Sequence, residues 1–404
     1  MGKSLVILGG NQLHCGFENK KQEYHVDKNI VVDWNELPSY TGDIHVQCDI
    51  KNTKEIYEAN INWDEVMCVY TSADVAVKTQ VELHKKMGLL TPSLDAVENA
   101  MYKGRSTECW KNASILNKYS EVISDYKQFI RYDGRKYIFK PNCSSGSRNI
   151  SILEGENLNE SNVCEAFEKA SLGSMDKMVI VEEFCEGTEY TVEMLGDDFG
   201  NVSVFGISKK YHTHYNSTNR IATKLHYNPN DVEDEILDRI GKFGMECYRA
   251  IGLKNSFGHL EVILCDDGRI IPVEIGARSS GYIASHLLDS INKEVFMKKY
   301  SDVLRGKTVQ NGIVFDRTLS SMYYFYDIKP GVAKRTTNLM EYLSKDIVSL
   351  DSNRDRLKNN ETFNRINADH ERVGYEILCG NRDTLTIERV FSAEKKFENV
   401  FLGE

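Results

Sequence analysis

The sequence predicts a multidomain protein of mixed class, α/β at its N-terminus and α+β beyond. Three observations predict it. Over the first hundred residues, short apolar runs alternate with amphipathic ones, as in an open parallel sheet flanked by helices. From Lys136 to Arg278, strand-like runs dominate and are separated by polar turns, the pattern of paired strands. A chain of 404 residues also exceeds what one compact core holds, so two or three domains are expected.

Taken in order, "SLVILGG", "KNIVVDW" and "EVMCVYT" read as strands, and "DVAVKTQVELHKKMG" as the helix after the third. Glycines follow the first strand at Gly9 and Gly10, then not until Gly16, so the G-x-G-x-x-G dinucleotide geometry is absent and Asp33, ending the second strand, is not assigned to a ribose. The pattern is helical from Thr91 to about Asn117, with Pro92 and Ser93 as start signals and Lys103 on or just after the helix "LDAVENAMYKGRS". Next come "KYIFK", a polar loop "PNCSSGSRN", the strand "NISIL", a helix near "SNVCEAFEKASLG" and the strand-rich "MVIVEEFCEGTEYTVEML". Val202 to Tyr227 reads as two strands joined by "HTHYNSTNR", on which His212 and His214 alternate and share a face, with Arg220 and His226 near in sequence. An amphipathic helix, "DVEDEILDRIGKFGMECYRAIGL", is capped by its acidic start. Two strands around an Asp-Asp-Gly turn follow in "FGHLEVILCDDGRIIPVEIGARSSG". The last hundred residues hold a strand, "SSMYYFYDI", a polar stretch, and the helix-like "TLTIERVFSAEKKFENV".

Composition excludes several classes. No apolar run approaches the roughly 20 residues of a membrane span, and "MGKSLVILGG" reads as a buried first strand and not as a leader, so the expected location is cytoplasmic. Ten cysteines are scattered singly, which fits reduced thiols better than a disulfide frame or a zinc site. A net charge of -10 argues against a nucleic-acid partner.

Three segments carry chemistry. The polar loop after Lys140 sits between two strands, so it is not a Walker-type loop, but its hydroxyls and N–H groups can wrap phosphate oxygens with the Lys140 charge beside them. By itself it also reads as an ordinary hairpin turn. In "VEEFCEGTEYTVEML", Glu182, Glu183 and Glu189 lie in or beside an apolar strand, where carboxylates are costly unless paired. An adenine amino group and ribose hydroxyls would supply partners. In the last hairpin, Glu261 and Glu274 stand one on each strand within apolar runs, and two opposed carboxylates invite a hard cation, Mg²⁺ or Mn²⁺, that would also hold phosphates. Arg278, just beyond, could grip a carboxylate or phosphoryl group in a bidentate fork. Ser279, Ser280, Tyr282 and His286 follow it.

The ordered set of Lys103, Lys140 with "PNCSSGSRN", "VEEFCEGTEY" and "HLEVIL…PVEIGAR" resembles the ATP-grasp superfamily over most of the chain; within it, "EIGARSSG" and the C-terminal "RVGYEILCG" resemble the carboxylate-amine ligases that join amino acids and their carboxylase-like relatives. The resemblance implies a Rossmann-like domain over 1–95, an ATP-grasp domain over 96–305 with a mobile lid at about 115–190, and a small α+β domain over 306–404. It further implies that Lys103 and Lys140 contact ATP phosphates under a lid of Ser144, Ser145, Gly146 and Ser147. Glu182, Glu183, Phe184 and Cys185 form the adenine hinge, Glu189 meets the ribose, Glu261 and Glu274 hold Mg²⁺ or Mn²⁺, and the acid meets the γ-phosphate near Arg278. Many members have Asn where this chain has Gly276, and relatives often have several glycines in the lid loop where this chain has one. The implied function is amide or peptide bond formation through an acyl phosphate, with release of ADP and phosphate. Its partners are a small-molecule carboxylate and an amine, with no nucleic acid and no membrane, and a homodimer is compatible with it. Two alternatives stay open: a carboxylase-like enzyme forming carboxyphosphate, and a non-catalytic ATP-binding protein.

Overall fold

The computed structural model describes the chain apart from residues 1–2, 12–13, 15, 145–147, 216–220, 281–284, 293–294, 368–370 and 404; of residues 285 and 286 it describes the backbone alone. Its first unit is a four-stranded parallel sheet of β1 (Ser4–Leu8), β2 (Lys28–Asp33), β3 (Ile44–Gln47) and β4 (Val66–Thr71), in the order β3-β2-β1-β4. Every residue of β1 and β4 is buried, as a parallel sheet covered on both faces requires. Short helices α1 (Gly16–Asn19), α2 (Lys21–Tyr24) and α3 (Thr53–Glu58) and the longer α4 (Val77–Lys86) surround it. The chain leaves β1 toward β2 and returns on its other side as β4, so a crevice opens beyond the C-terminal ends of β1 and β4, where such sheets bind ligands. Asp33 serves the fold there: its Oδ2 accepts from Gly10 N at 2.7 Å.

The helical stretch after Thr91 is two helices, α5 (Leu94–Met101) and α6 (Lys103–Asn112), where one was expected. Ser93 caps α5 as its sequence signalled, accepting from Ala96 N at 3.1 Å. Tyr102 adopts an extended conformation (φ −99°, ψ 114°) that breaks the helix, so Lys103 opens α6. A second, antiparallel sheet follows, of β5 (Ser120–Ile123), β6 (Tyr137–Pro141), β7 (Ser151–Leu153) and β8 (Val179–Glu183), in the order β5-β8-β6-β7. Helix α7 (Glu160–Gly173) packs on it over a separate small core around Phe129, Tyr137 and Phe139.

Among the described residues, the third and largest sheet has nine strands. Its main path runs β13-β12-β9-β10-β11-β15-β19-β17, from β9 (Thr188–Gly196), β10 (Val202–His212), β11 (Ala222–Tyr227), β12 (Ser256–Leu264), β13 (Ile270–Gly276), β15 (Leu319–Phe325), β17 (Val348–Asn353) and β19 (Tyr375–Asn381), with β14 (Gly312–Ile313) added beside β10. A separate pair joins β16 (Gly331–Val332) to β18 (Thr362–Phe363). Thus "VEEFCEGTEYTVEML", read as one strand region, supplies strands to two different sheets, and the polar stretch of the C-terminal segment contributes β17 and β18. The large sheet also runs across the expected 305/306 boundary.

Helix α8 (Asp234–Ile251) covers one face of that sheet. Val192, Leu260 and Ile275 are buried partners in register across β9, β12 and β13, and Gly244 lets α8 approach Val192. The acidic start of α8 pairs charges in place of capping: Glu233 makes no side-chain cap, while Asp234 Oδ1 takes Arg382 Nη1 at 2.5 Å. Helices α9 (Ser285–Asp289) and α10 (Phe296–Val303) follow β13, and α11 (Ile387–Leu402) closes the C-terminal core with Phe397 and Phe401 stacked at 5.2 Å.

Candidate active site

Alternation along the strands decides which side chains face the cleft, the side of the large sheet opposite α8, where Lys103 and Ser144 approach Glu274. Because Val192, Leu260 and Ile275 point to α8, the next residues along each strand point the other way. Glu261 is the register partner of Glu274 on one side and of Thr191 on the other. Two residues from Thr191 along β9 stand Glu189 and Glu193, on the same face.

Each of the two hairpin carboxylates has its own ammonium. Lys210 Nζ, from β10, lies 2.7 Å from Glu261 Oε1 and 4.0 Å from Glu189 Oε2; Lys103 Nζ, opening α6, lies 3.0 Å from Glu274 Oε2 and donates to Ser144 O at 2.9 Å. Burial works against the charge of both lysines, but Glu261 and Glu274 outweigh it and raise each above its ordinary value. Glu261 is held well below the carboxylate range: burial opposes this, and Lys210 and His259 overcome it. With side chains 24% and 33% exposed, Glu261 and Glu274 reach solvent from the cleft.

Beneath them lies a polar layer that the sequence reading passed over. His259 is the register partner of Glu193 and bridges it to Glu261, with Nδ1 2.8 Å from Glu193 Oε1 and Nε2 3.6 Å from Glu261 Oε1. Desolvation alone would lower this imidazole; Glu193 and Glu261 raise it to about 9. Tyr227 Oη donates to the same Glu193 oxygen at 3.2 Å. Period-two spacing of Glu189, Thr191 and Glu193 within an apolar strand was the available signal.

Arg278 is largely buried and lies just beyond β13, where its Nε and Nη2 donate to Asp74 Oδ1 and Oδ2, both at 2.6 Å. Asp74 follows β4, so this fork reaches from the large sheet to the N-terminal crevice. Tyr70 Oη and Ser279 Oγ form a second bond across the same seam at 2.6 Å. A Cβ at Gly276 would lie 3.3 Å from Arg278 Cγ and 3.4 Å from its Cζ, so a side chain there would crowd the arginine by a few tenths of an ångström.

In the smaller sheet, Glu182 is 2% exposed and pairs with Lys140 and with Lys118, the latter at 3.4 Å. Burial would raise this carboxyl, and the two lysines bring it down to about 2. Lys140 moves below its ordinary value: burial, with Lys118 and Lys103 nearby, outweighs the attraction of Glu182. Glu182 thus finds its partners in two of the protein's own lysines, and Lys118 is a residue the sequence reading missed. Residues 184–187 link the two sheets. Phe184 N donates to Lys136 O at 2.9 Å, Lys136 Nζ lies 4.5 Å from the Phe184 ring centroid, and Cys185 is half-buried beside them. Glu183, at the end of β8, lies 3.8 Å from Arg135. Gly187 has no room for a side chain, since its Cβ would sit 2.3 Å from Leu264 O.

Of the remaining expected residues, Ser145, Gly146 and Ser147 lie outside the described residues, as do Arg220 and Tyr282, and so does the side chain of His286. His212 ends β10 with Nε2 3.3 Å from Glu189 Oε2. His214 lies past the strand end, so the shared face expected for the two histidines does not form; its backbone N donates to Asp327 and its ring packs 5.2 Å from Phe391. His226 is a core histidine, 2.8 Å from Ser320 Oγ and lowered by burial to about 4. Among the described residues, no group of three or more His, Cys, Asp or Glu side chains gathers as a metal cluster. The donor set of Glu261 and Glu274 still suits a Mg²⁺-like ion that completes its shell with phosphate and water oxygens.

Residues 135–286 match the ATP-grasp domain family. The chain is 28% identical over 200 residues to a D-alanine–D-alanine ligase of Nitrosospira multiformis, a match over 47% of this chain and 60% of that ligase's length. Its fold is similar to that of an L-amino acid ligase from Bacillus licheniformis (TM-score 0.70, 13% identity, 98% of this chain and 97% of that one). It is also similar to phosphoribosylglycinamide synthetase from Anaerococcus prevotii (TM-score 0.66, 16% identity, 99% and 98%), and to biotin carboxylase from Campylobacter jejuni (TM-score 0.68, 14% identity, 94% and 87%). No helix among the described residues is long and apolar enough to cross a membrane. On these grounds the chain carries an ATP-grasp domain over residues 135–286 and has the ATP-grasp fold.

Proposed function

We propose that this protein is an ATP-dependent carboxylate-amine ligase acting on amino acids, ADP-forming, in the cytoplasm. The observation that carries the reading is the pairing of Glu261 with Glu274 on the cleft face, each balanced by a lysine, with Arg278 just beyond the end of the same strand as Glu274. ATP would lie between the small and large sheets, its adenine against residues 182–185, its ribose near Glu189, and its phosphates toward Lys103, Lys140 and the Ser144–Ser147 loop. A Mg²⁺ or Mn²⁺ ion on Glu261 and Glu274 would neutralise phosphate charge. One carboxylate oxygen of the first substrate attacks the γ-phosphorus, the bond to the β-phosphate oxygen breaks, and ADP leaves. An amine then attacks the acyl carbon, loses a proton, and expels inorganic phosphate. No side-chain nucleophile is needed; Lys103, Lys140 and Arg278 position the reactants and offset developing charge.

Similarity to biotin carboxylase supports a second reading, in which bicarbonate is the acid. Phosphate release from MgATP separates the two. Release that requires particular pairs of amino acids supports ligation, release that requires bicarbonate supports the second reading, and no release with any acid sinks both in favour of a binding protein. Product masses identify the amide.

A further inference from the structure

Arg278 does not stand alone at the seam between the N-terminal sheet and the hairpin. Asp74 takes the side-on edge of its guanidinium, through Nε and Nη2, and Ser279 O takes one hydrogen of Nη1 at 3.0 Å. Guanidinium carries five N–H donors. Among the described residues these bonds use three, which leaves one on each terminal nitrogen, and the one on Nη2 lies on the end-on edge. Arg278 lies against Gly276, where a Cβ would press on its Cγ at 3.3 Å. Asp74 itself comes from the first turn after β4, at the crevice where the strand order reverses, and also faces Lys103 and His259.

We propose that Asp74 is the positioning residue for Arg278: it holds the side-on edge so that the end-on edge meets the acyl phosphate. The inference rests on the ligase reading above and extends it to a residue of the N-terminal domain. A loose guanidinium has several rotamers, whereas one clamped by a bidentate carboxylate keeps its remaining donors aimed before substrate arrives. Misplacement by about 1 Å costs on the order of 10²-fold in rate.

The test measures amino-acid-dependent phosphate release for wild type, Asp74→Asn, Asp74→Glu, Arg278→Lys and the Asp74→Asn/Arg278→Lys double variant, with ADP affinity and melting temperature for each. The expected result is a fall in kcat of about 10²-fold for Asp74→Asn with ADP affinity unchanged, partial recovery in Asp74→Glu, and a double variant no slower than Arg278→Lys alone. Additive losses, or a loss seen only in KM or accounted for by melting, overturn the proposal. Should wild type release no phosphate with any acid, the ligase reading fails, and the Arg278 Nε–H signal of ¹⁵N-arginine-labelled protein decides the clamp. A slowly exchanging signal lost in Asp74→Asn supports it; the same signal in both proteins overturns it.

Discussion

Glu261 and Glu274 face each other across β12 and β13, and each is answered by a lysine from a different part of the chain, Lys210 at 2.7 Å and Lys103 at 3.0 Å. Two carboxylates opposed in this way repel unless cations stand beside them. The lysines hold the pair together as it stands, and under the proposed function a divalent ion shares that task. Replacement of either carboxylate by its amide, Glu261→Gln or Glu274→Gln, should lower turnover by about 10²-fold or more while the protein stays folded. Steady-state phosphate release beside a melting curve checks it, and unchanged turnover removes the metal assignment.

Lys210 offers a sharper measurement. Among the described residues, Lys210→Met leaves Glu261 with His259 as its one close cation, at 3.6 Å, and should cost about 2 kcal/mol, less than for a fully buried pair because Glu261 reaches solvent. An added divalent ion would replace the missing charge. Mg²⁺ should therefore raise the melting temperature of the variant more than that of wild type. Equal shifts would mean that Lys210 and the ion do not share the site.

Glu182 joins β8 to the lysines Lys140 and Lys118 inside the smaller sheet. Glu182→Gln strands two ammonium groups in a buried place and should destabilise this sheet by about 3–5 kcal/mol. Hydrogen exchange of the β5–β8 amides reads the effect where it occurs. Protection that stays at the wild-type level would show that the triad contributes little.

The same carboxyl predicts an acid limit. Its folded value, about 2, lies below the ordinary 4.5, so its contribution is fully present above 4.5 and is lost as pH falls from 4.5 toward 2. Proteolysis of the 120–183 segment should accelerate across that window in wild type and vary less in Glu182→Gln. A dependence of the same size in both would assign the acid sensitivity to other groups.

Gly187 tests the joint between the sheets. Gly187→Ala drives a Cβ into Leu264 O, a backbone atom that cannot swing aside, and should cost about 1–3 kcal/mol. Its melting temperature should fall, and ATP affinity should fall with it, because the linker carries the expected adenine hinge. A variant as stable as wild type would show that the backbone there shifts freely.

Much of the fold was legible because periodicity is a local property. The strands at β1, β2, β4, β6 and β7, the helix α8 and the β12–β13 hairpin all follow from apolar spacing and turn residues read along a few positions. Glu261 and Glu274 could be paired from the sequence for the same reason: a tight turn makes one strand predict the other. Tyr102 could not be foreseen as a helix break, since at the break Lys103 N and Gly104 N donate to Asn142, a residue distant in sequence. His214 was misplaced because a strand end is decided by its partner and not by alternation. Asp74 and Arg278 stand 204 positions apart, and nothing in either neighbourhood signals the other.

Residue order by itself determined the alternating elements, the mutual facing of the two hairpin carboxylates, and the Ser-rich loop between two strands. Tertiary structure alone decided which cation answers which carboxylate: Lys210 and His259 for Glu261, Lys103 for Glu274, Lys118 and Lys140 for Glu182, and Asp74 for Arg278. Backbone periodicity acts between neighbours in the chain, whereas charges choose partners by distance through a low-dielectric interior, and that distance exists only once separate sheets have packed together.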